Sequence, residues 1–539
     1  MDAWLNDWAQ LIFRWVHVLA AIAWIGHAFF FHSMEKALRP PEVDGVDPDV
    51  HGELWMVHGG GFFRMQKTRV LPPVFTGHLH WFKYEALLTW ISGFLLLIAL
   101  YYLTGGVLMI DASVMEMSPL ASVGIGLGTL IFGWAAYDFI WAGPIGRVGK
   151  DPTLGTVLTV LLIAGMGVGL TFLLSGRAAF LHTGALLGTI MTANVWMRII
   201  PGATKMVRAL EKGEEPDLRL GAIGHQRSVH NGYMHFPIVF LMISNHYPFT
   251  FGNRWSAVIL LLMLALGAAV RQLFYDGWSA HWAVKGTVAL CTVGVLGLTM
   301  PKPRQAPIDP STTARTEGTA IDPATARTVR GVVRFEGEPP PPKELKLYGD
   351  CLTLADGPVF EDSVKVADGK LENAFVWIDA GWEGFQIPAA PQTEVEVDQR
   401  GCVYAPRIHG ARVGQPVTFV NSDAMFHNVR SVSDENETFN LNMPGKDQRI
   451  TRTFLRPERM VEARCDVHPW MMSHIGLVEH DWWAISRADG SFSLEGVPPG
   501  SYTVKAWHEV FGERSATLTV GADGTVGMEP EALVFTASE

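Results

Sequence analysis

A chain of 539 residues is too long for one hydrophobic core, so two or more domains are expected. A formal net charge of −11 and the lack of any basic cluster leave no electrostatic case for nucleic acid as a partner. Hydrophobic residues make up 48% of the chain but are unevenly spread: long apolar runs dominate up to about Met300, and short alternating stretches broken by Pro, Gly and Asp follow.

Eight apolar segments are long enough, or nearly so, to cross a bilayer. They fall at roughly 9–31, 84–104, 120–142, 153–174, 178–200, 232–249, 255–274 and 282–300. The sixth is the weakest, because it carries His235, Pro237 and His246, and a kinked or partly re-entrant segment is expected there. The first reads as a retained span, since no small-residue cleavage site follows it. Lys36, Arg39, Arg64, Lys67 and Arg69 follow the first segment, Arg147 and Lys150 the third, and Lys205, Arg208, Lys212, Arg219 and Arg227 the fifth. The intervening loops hold only Arg177 and Arg254. This bias places the basic loops in the cytoplasm and both termini outside, so in a bacterial inner membrane the second half is periplasmic. Pro301–Thr328 is rich in Pro, Thr and Ala, lacks hydrophobic periodicity and reads as a linker.

The strongest chemical signal is the run Cys465-Asp-Val-His468-Pro-Trp-Met471, which follows the strand-like Val461–Arg464. A short loop carrying Cys, His and Met between two strands suits a type 1 copper ion, with thiolate and imidazole in the strong trigonal plane and a thioether as weak axial ligand. A second histidine is required, and His427 supplies it at the end of an alternating run from Val417. The two segments together resemble the cupredoxins, most of all the amicyanin and plastocyanin branch. The resemblance implies the ligands His427, Cys465, His468 and Met471, with Asn428 bracing the loop by hydrogen bonding. Met472 is the rival axial ligand, and spacing favours Met471. The alternative is a metal-free β-sandwich with these residues in its core. The implied role is one-electron transfer.

Cys291 lies in an apolar run and reads as an inert core residue. Cys351 and Cys402 are left over, and a periplasmic disulfide is the expected reading, two free thiols the other. His409, His474, His480 and His508 have no partner pattern and read as solvated or core residues. The stretch Ala488–Trp507 has the turn-and-strand grammar of a small β-sandwich and resembles the carboxypeptidase-regulatory type. The expected organisation is thus a membrane domain at 1–300, a linker at 301–328, a cupredoxin-like Greek-key sandwich at 329–480 and a small β-sandwich at 481–539.

Several stretches of the first half resemble the N-terminal domain of bacterial membrane-bound urate oxidases (urate hydroxylases). They are Arg14–His17, Ile22–Gly26, Trp81–Glu85, Gly188–Trp196, Gln226–Ser228 and Phe240–Pro248, and the likeness runs over most of 10–300. In that family the membrane domain is typically followed by a cytochrome c domain; here a cupredoxin-like segment stands in its place, which preserves a one-electron carrier. The resemblance implies oxidation of urate towards 5-hydroxyisourate, with electrons leaving through the attached carrier rather than going straight to oxygen. An anionic purine would want an Arg and amide groups between helices; Asn194, Arg198, Arg227 and Asn231 are the candidates, although both arginines also sit where positive-inside residues belong.

Ionisable residues inside spans are costly and tend to mark function. His17 and His27 lie about 15 Å apart along the first segment. His182 and His246 fall at the outer level with His17, and His78, His80, His230 and His235 at the inner level with His27. Two levels of facing histidines would suit one or two b-type haems, with His17, His27, His182, His235 and His246 as candidate ligands. The alternatives are interfacial histidines at 78, 80 and 230 and an interhelix hydrogen bond from His182. Glu85 and Asp138, near or within spans, would bind protons or be paired structurally.

Three readings result. The first is a urate-oxidising membrane oxidoreductase with a copper electron outlet, served by a periplasmic cytochrome c or terminal oxidase as acceptor. The second is a respiratory electron-transfer subunit, taking electrons from quinol or a partner complex without urate chemistry. The third is a copper-handling protein that binds metal without turnover.

Overall fold

The computed structural model describes residues 3–41, 50–68, 79–103, 108–111, 114–300, 313–345, 347, 349–354, 357–528 and 533–537. It divides into two compact units, Met1–Met300 and Pro301–Glu539.

The first unit is helical, as its apolar runs require. Its helices are α1 (Ala3–Ala37), α2 (Tyr84–Leu97), α3 (Pro119–Ala142), α4 (Thr153–Thr171), α5 (Gly176–Ala193), α6 (Ile200–Glu211), α7 (Leu218–Ile243), the short α8 (Pro248–Phe251), α9 (Ser256–Asp276) and α10 (Trp282–Thr299). Serine caps start two of them: Ser118 accepts from the Ala121 N–H ahead of α3, where Pro119 takes the first helical position, and Ser175 accepts from Ala178 ahead of α5. A π-helical turn, Asn194–Ile199, joins α5 to α6 without a break. Large apolar side chains such as Trp15, Ile22, Phe132, Phe139 and Leu161 face outward, as lipid-facing positions do.

Among the described residues, seven helices are long and apolar enough to cross a membrane. Of the segment expected at 232–249, α7 supplies the part up to Ile243, with Pro237 inside it, and begins earlier, at Leu218; a 3₁₀ turn, Ser244–His246, and the short α8 make up the rest. Near its middle α7 carries Arg227, His230 and Asn231, which break the apolar run and yet make polar contacts with α3, with α5 and with the π-helical turn that follows α5. Between α1 and α2 the chain forms an antiparallel hairpin, Val50–His58 with Gly61–Thr68.

The second unit contains two β-sandwich layers of different origin. In one, a five-stranded sheet runs in the order Ile408–Arg412, Met472–Val478, Glu458–Arg464, His427–Val432, Asn440–Met443, and a four-stranded sheet in the order Gln448–Thr453, Pro416–Asn421, Val395–Arg400, Val403–Ala405. Alternate residues of these strands, among them Val397, Phe419, Val429, Val461 and Ile475, fill the core between them. The other sandwich has a separate core around Val329, Ile378, Leu494, Val504 and Leu518.

That second sandwich does not start at residue 481. Strand Phe375–Ala380 pairs with Gly500–His508, Arg327–Val332 pairs with Ser491–Val497, and Arg334–Glu336 pairs with Val534–Thr536. It is therefore built from two separated stretches, and the first sandwich is inserted between them. The expected division at 480/481 is corrected: strands more than one hundred residues apart pair across it, which local alternation cannot reveal. The expected linker also ends earlier than Thr328, because Arg315 N–H donates to Ile387 O and Thr319 N–H to Gly384 O; its residues 301–312 lie outside the described residues.

Candidate functional site

Two loops of the inserted sandwich meet at one end. His427 opens its strand after the turn that follows Pro416–Asn421, and Cys465 follows the end of Glu458–Arg464. The loop from Cys465 is tight: the Cys465 N–H donates to Met471 O at 3.2 Å, and the Met471 N–H to His468 O at 2.9 Å. This brings the Nδ1 atoms of His427 and His468 to 2.9 Å of one another, with Cys465 Sγ 4.0 Å from the first and 3.7 Å from the second. A trigonal ion with bonds of about 2.0 Å to nitrogen and about 2.3 Å to sulfur spaces its nitrogens about 3.5 Å apart and puts each about 3.7 Å from the sulfur. The triangle is close to that size, so the donor set fits a thiolate–imidazole–imidazole plane with small side-chain adjustments. Met471 is fully buried in the same core cluster as Cys465, whereas Met472 begins the next strand half-buried. Burial thus favours Met471 as the fourth donor.

Asn428 ties the two loops together. Its Oδ1 accepts from the Asp466 N–H at 2.7 Å and lies 3.4 Å from Cys465 Sγ, while its Nδ2 donates to Asn440 and Asp466. Burial pushes the Cys465 thiol up to about 11, although backbone N–H groups of Asn428, His468 and Val467 favour the thiolate. A metal ion would displace that proton on binding.

Sequence reasoning missed Asp423. Its carboxylate lies 3.0 Å from His427 Nε2 and also accepts from the Gly401 and Cys402 N–H groups. Burial alone would raise its pKa, but these hydrogen bonds hold it below the usual carboxylate range. A carboxylate behind an imidazole fixes which ring nitrogen is free to bind a metal. The available signal was an Asp four residues before the candidate ligand in the same loop. Cys351 and Cys402 form a disulfide, with Cα atoms 5.7 Å apart. Trp470, in the Cys465 loop, donates its indole N–H to Cys402 O at 2.8 Å. His409, His474, His480 and His508 are all buried core residues.

In the helical unit, four side chains named from the sequence gather near one end of α3, α5 and α7. Arg198 and Arg227 both donate to Asp138, so that carboxylate is structurally paired. Asn194 donates to Asn231 Oδ1 at 2.8 Å and to the Tyr137 hydroxyl at 3.0 Å, and Tyr137 lies 2.8 Å from His230 Nδ1. Tyr137 was not singled out from the sequence; helix packing, not spacing, places it there.

Each of the candidate haem ligands has other neighbours in the helical unit. His182 Nε2 lies 3.1 Å from the Tyr102 hydroxyl, the interhelix bond weighed as its alternative, and a Cβ on Gly126 would come within 2.7 Å of that nitrogen. A Cβ on Gly93 would come equally close, 2.7 Å, to the ring of His17, whose Nδ1 bonds Thr89 O. A glycine backbone thus packs against each of these two rings. His27 Nδ1 is 3.7 Å from Glu85, His235 sits between Trp24 and Phe29, and His246 is exposed beyond α7. Among the described residues no two of these five histidines touch, and the haem expectation is not carried forward. His80 meets Phe82 edge to face, and His78 lies outside the described residues.

Residues 3–300 match the family described as urate oxidase N-terminal. The chain belongs to the urate oxidase N-terminal family. No curated protein matches it in sequence. Among solved structures, a copper-containing nitrite reductase from Thermus scotoductus SA-01 is 25% identical, over 17% of this chain and 23% of its own, with a TM-score of 0.16. A purple cupredoxin from Nitrosopumilus maritimus is 21% identical over 15% of this chain and 98% of its own, with a TM-score of 0.14. An amicyanin variant in the Cu(I) state is 24% identical over 19% of this chain and 97% of its own, with a TM-score of 0.15. At TM-scores this low, the metal reading for this urate oxidase N-terminal family member rests on its own side-chain geometry.

Proposed function

We propose that the protein oxidises urate to 5-hydroxyisourate in its membrane unit and sends the electrons out through a type 1 copper site in its β unit. The observation that carries this reading is the convergence of Cys465, His427 and His468 beside buried Met471, in the same chain as a urate oxidase N-terminal unit. Those four side chains would hold the copper, which when bound supplies a one-electron carrier in a ligand set suited to both oxidation states. The residues around it act without turnover of their own. Asp423 holds His427 in the tautomer that leaves Nδ1 free, Asn428 fixes the Cys465 loop, and burial of all three convergent donors keeps water off the site.

Urate oxidation to 5-hydroxyisourate consumes one water and releases two protons and two electrons, so a one-electron outlet must be used twice per urate. The final acceptor is then a one-electron protein, a periplasmic cytochrome c or a terminal oxidase. The distribution of Lys and Arg supports an inner-membrane setting with both termini and the β unit on the periplasmic side.

The test is urate turnover by purified full-length protein in detergent, with ferricyanide as electron acceptor. Two ferricyanide reduced per urate consumed is the expected result. No urate consumption with any one-electron acceptor would overturn the proposal.

A further inference from the structure

We infer that the buried polar cluster around Arg227 is where the helical unit binds its substrate as a planar monoanion; this rests on the urate reading above. Arg227 is 1% exposed, yet only Nη2 is engaged, donating to Asp138 at 3.1 Å. Its Nε and Nη1 are buried and donate to nothing among the described residues. A guanidinium edge left unpaired away from water is expensive, and an acceptor-rich ligand removes that cost. The charges point the same way. Asp138 is shared by two guanidiniums, Arg198 and Arg227, which leaves the group one positive charge in excess. Arg198 is partly exposed and can meet solvent, so the uncompensated charge falls on Arg227.

The neighbouring groups select for more than charge. The Arg227 guanidinium carbon stands 5.0 Å from the centre of the Tyr137 ring, and the His230 ring packs at 4.1 Å on Trp141. Flat rings beside a guanidinium offer stacking surface to a flat ligand. Asn194 and Asn231 are both buried; Asn194 gives its amide N–H groups to Tyr137 and Asn231, and Asn231 donates to Met191 O, which leaves the Asn194 amide oxygen to accept from a ring N–H group. Asn194 also begins the π-helical turn Asn194–Ile199, the kind of interruption that recurs at functional sites. Singly anionic oxidised purine, with carbonyls and ring nitrogens around a flat frame, answers each of these features. A tetrahedral anion such as phosphate answers only the charge.

The experiment is equilibrium binding of radiolabelled urate to full-length protein in nanodiscs, without oxygen or acceptor, so that nothing turns over. Wild-type protein should bind urate in competition with xanthine but not with inorganic phosphate. Arg227→Gln should weaken binding about 10- to 100-fold, the range for one charge-assisted pair, while the visible spectrum of the copper-loaded protein stays unchanged. Because Arg227→Gln also releases Asp138, Asn194→Ala provides a second reading that leaves the ion pairs intact, with a loss of about 5- to 10-fold. Wild-type protein that oxidises urate while both variants keep its affinity would overturn this site and leave the proposed function standing. Equal displacement by phosphate would overturn the substrate class. Wild-type protein that neither binds nor oxidises urate would overturn both.

Discussion

Asp423 holds His427 from behind, with a carboxylate oxygen 3.0 Å from Nε2 while the opposite nitrogen, Nδ1, faces His468 and Cys465. Asp423→Asn keeps the shape but removes the charge that orients the ring. Copper affinity should fall about 10- to 100-fold, with the visible band retained at saturation. Competition against a copper chelator measures this, and unchanged affinity would mean that the Asp423 contact is structural only.

Cys465→Ser should abolish the intense visible absorption of the copper-loaded protein while leaving it inserted in the membrane. Persistence of the band would remove Cys465 from the ligand set. Met471→Leu should retain copper and shift its reduction potential, as loss of a weak axial donor does. If only Met472→Leu shifts it, the axial position moves by one residue.

The β unit should lose stability in acid through Glu509. Burial would raise this carboxyl, but hydrogen bonds and charge from His474 and Arg407 bring it down to about 2. An unfolded glutamate, near 4.5, takes up a proton that the folded one refuses. The contribution is therefore complete above about pH 4.5 and disappears as pH falls towards 2, on the order of 3 kcal/mol. Glu509→Gln should cost about 2–3 kcal/mol at neutral pH, because it leaves the buried Arg407 with only the longer contacts to Glu361 and Asp362, and should flatten this acid limb. Denaturant unfolding followed by tryptophan fluorescence at several pH values checks both.

Gly410 and Gly476 are paired in register on parallel strands, and both are needed for the two sandwiches to meet. A Cβ on Gly476 would lie 2.5 Å from the Phe375 ring, and one on Gly410 2.2 Å from the Trp483 ring. Gly476→Ala should destabilise the β unit by about 1–3 kcal/mol through overpacking, and Phe375→Leu in the same chain should recover part of that loss. A double-mutant cycle by denaturant unfolding measures the recovery; strictly additive losses would contradict the contact.

The proposed metal ligands were legible as candidates because each lies in a short run whose local order carries the chemistry: Cys465, His468 and Met471 in seven residues, and His427 beside Asn428. The apolar helices were legible from apolar length alone, except where α7 carries the buried polar residues Arg227 and Asn231 near its middle. What stayed hidden depends on distant pairing. No local pattern says that Phe375–Ala380 pairs with Gly500–His508, or that Tyr137 and His230 meet. Histidine levels along a helix likewise could not reveal that Gly93 packs against the His17 ring and Gly126 against the His182 ring.

The most direct measurement uses purified full-length protein with oxidised copper, free of oxygen, and follows its visible absorbance as urate is added. Bleaching at the rate of urate turnover is the expected result, since the proposed function sends the electrons taken from urate to the Cys465 site. An unchanged spectrum with urate, together with prompt bleaching by a quinol analogue, would contradict the urate reading and assign the chain to respiratory electron transfer.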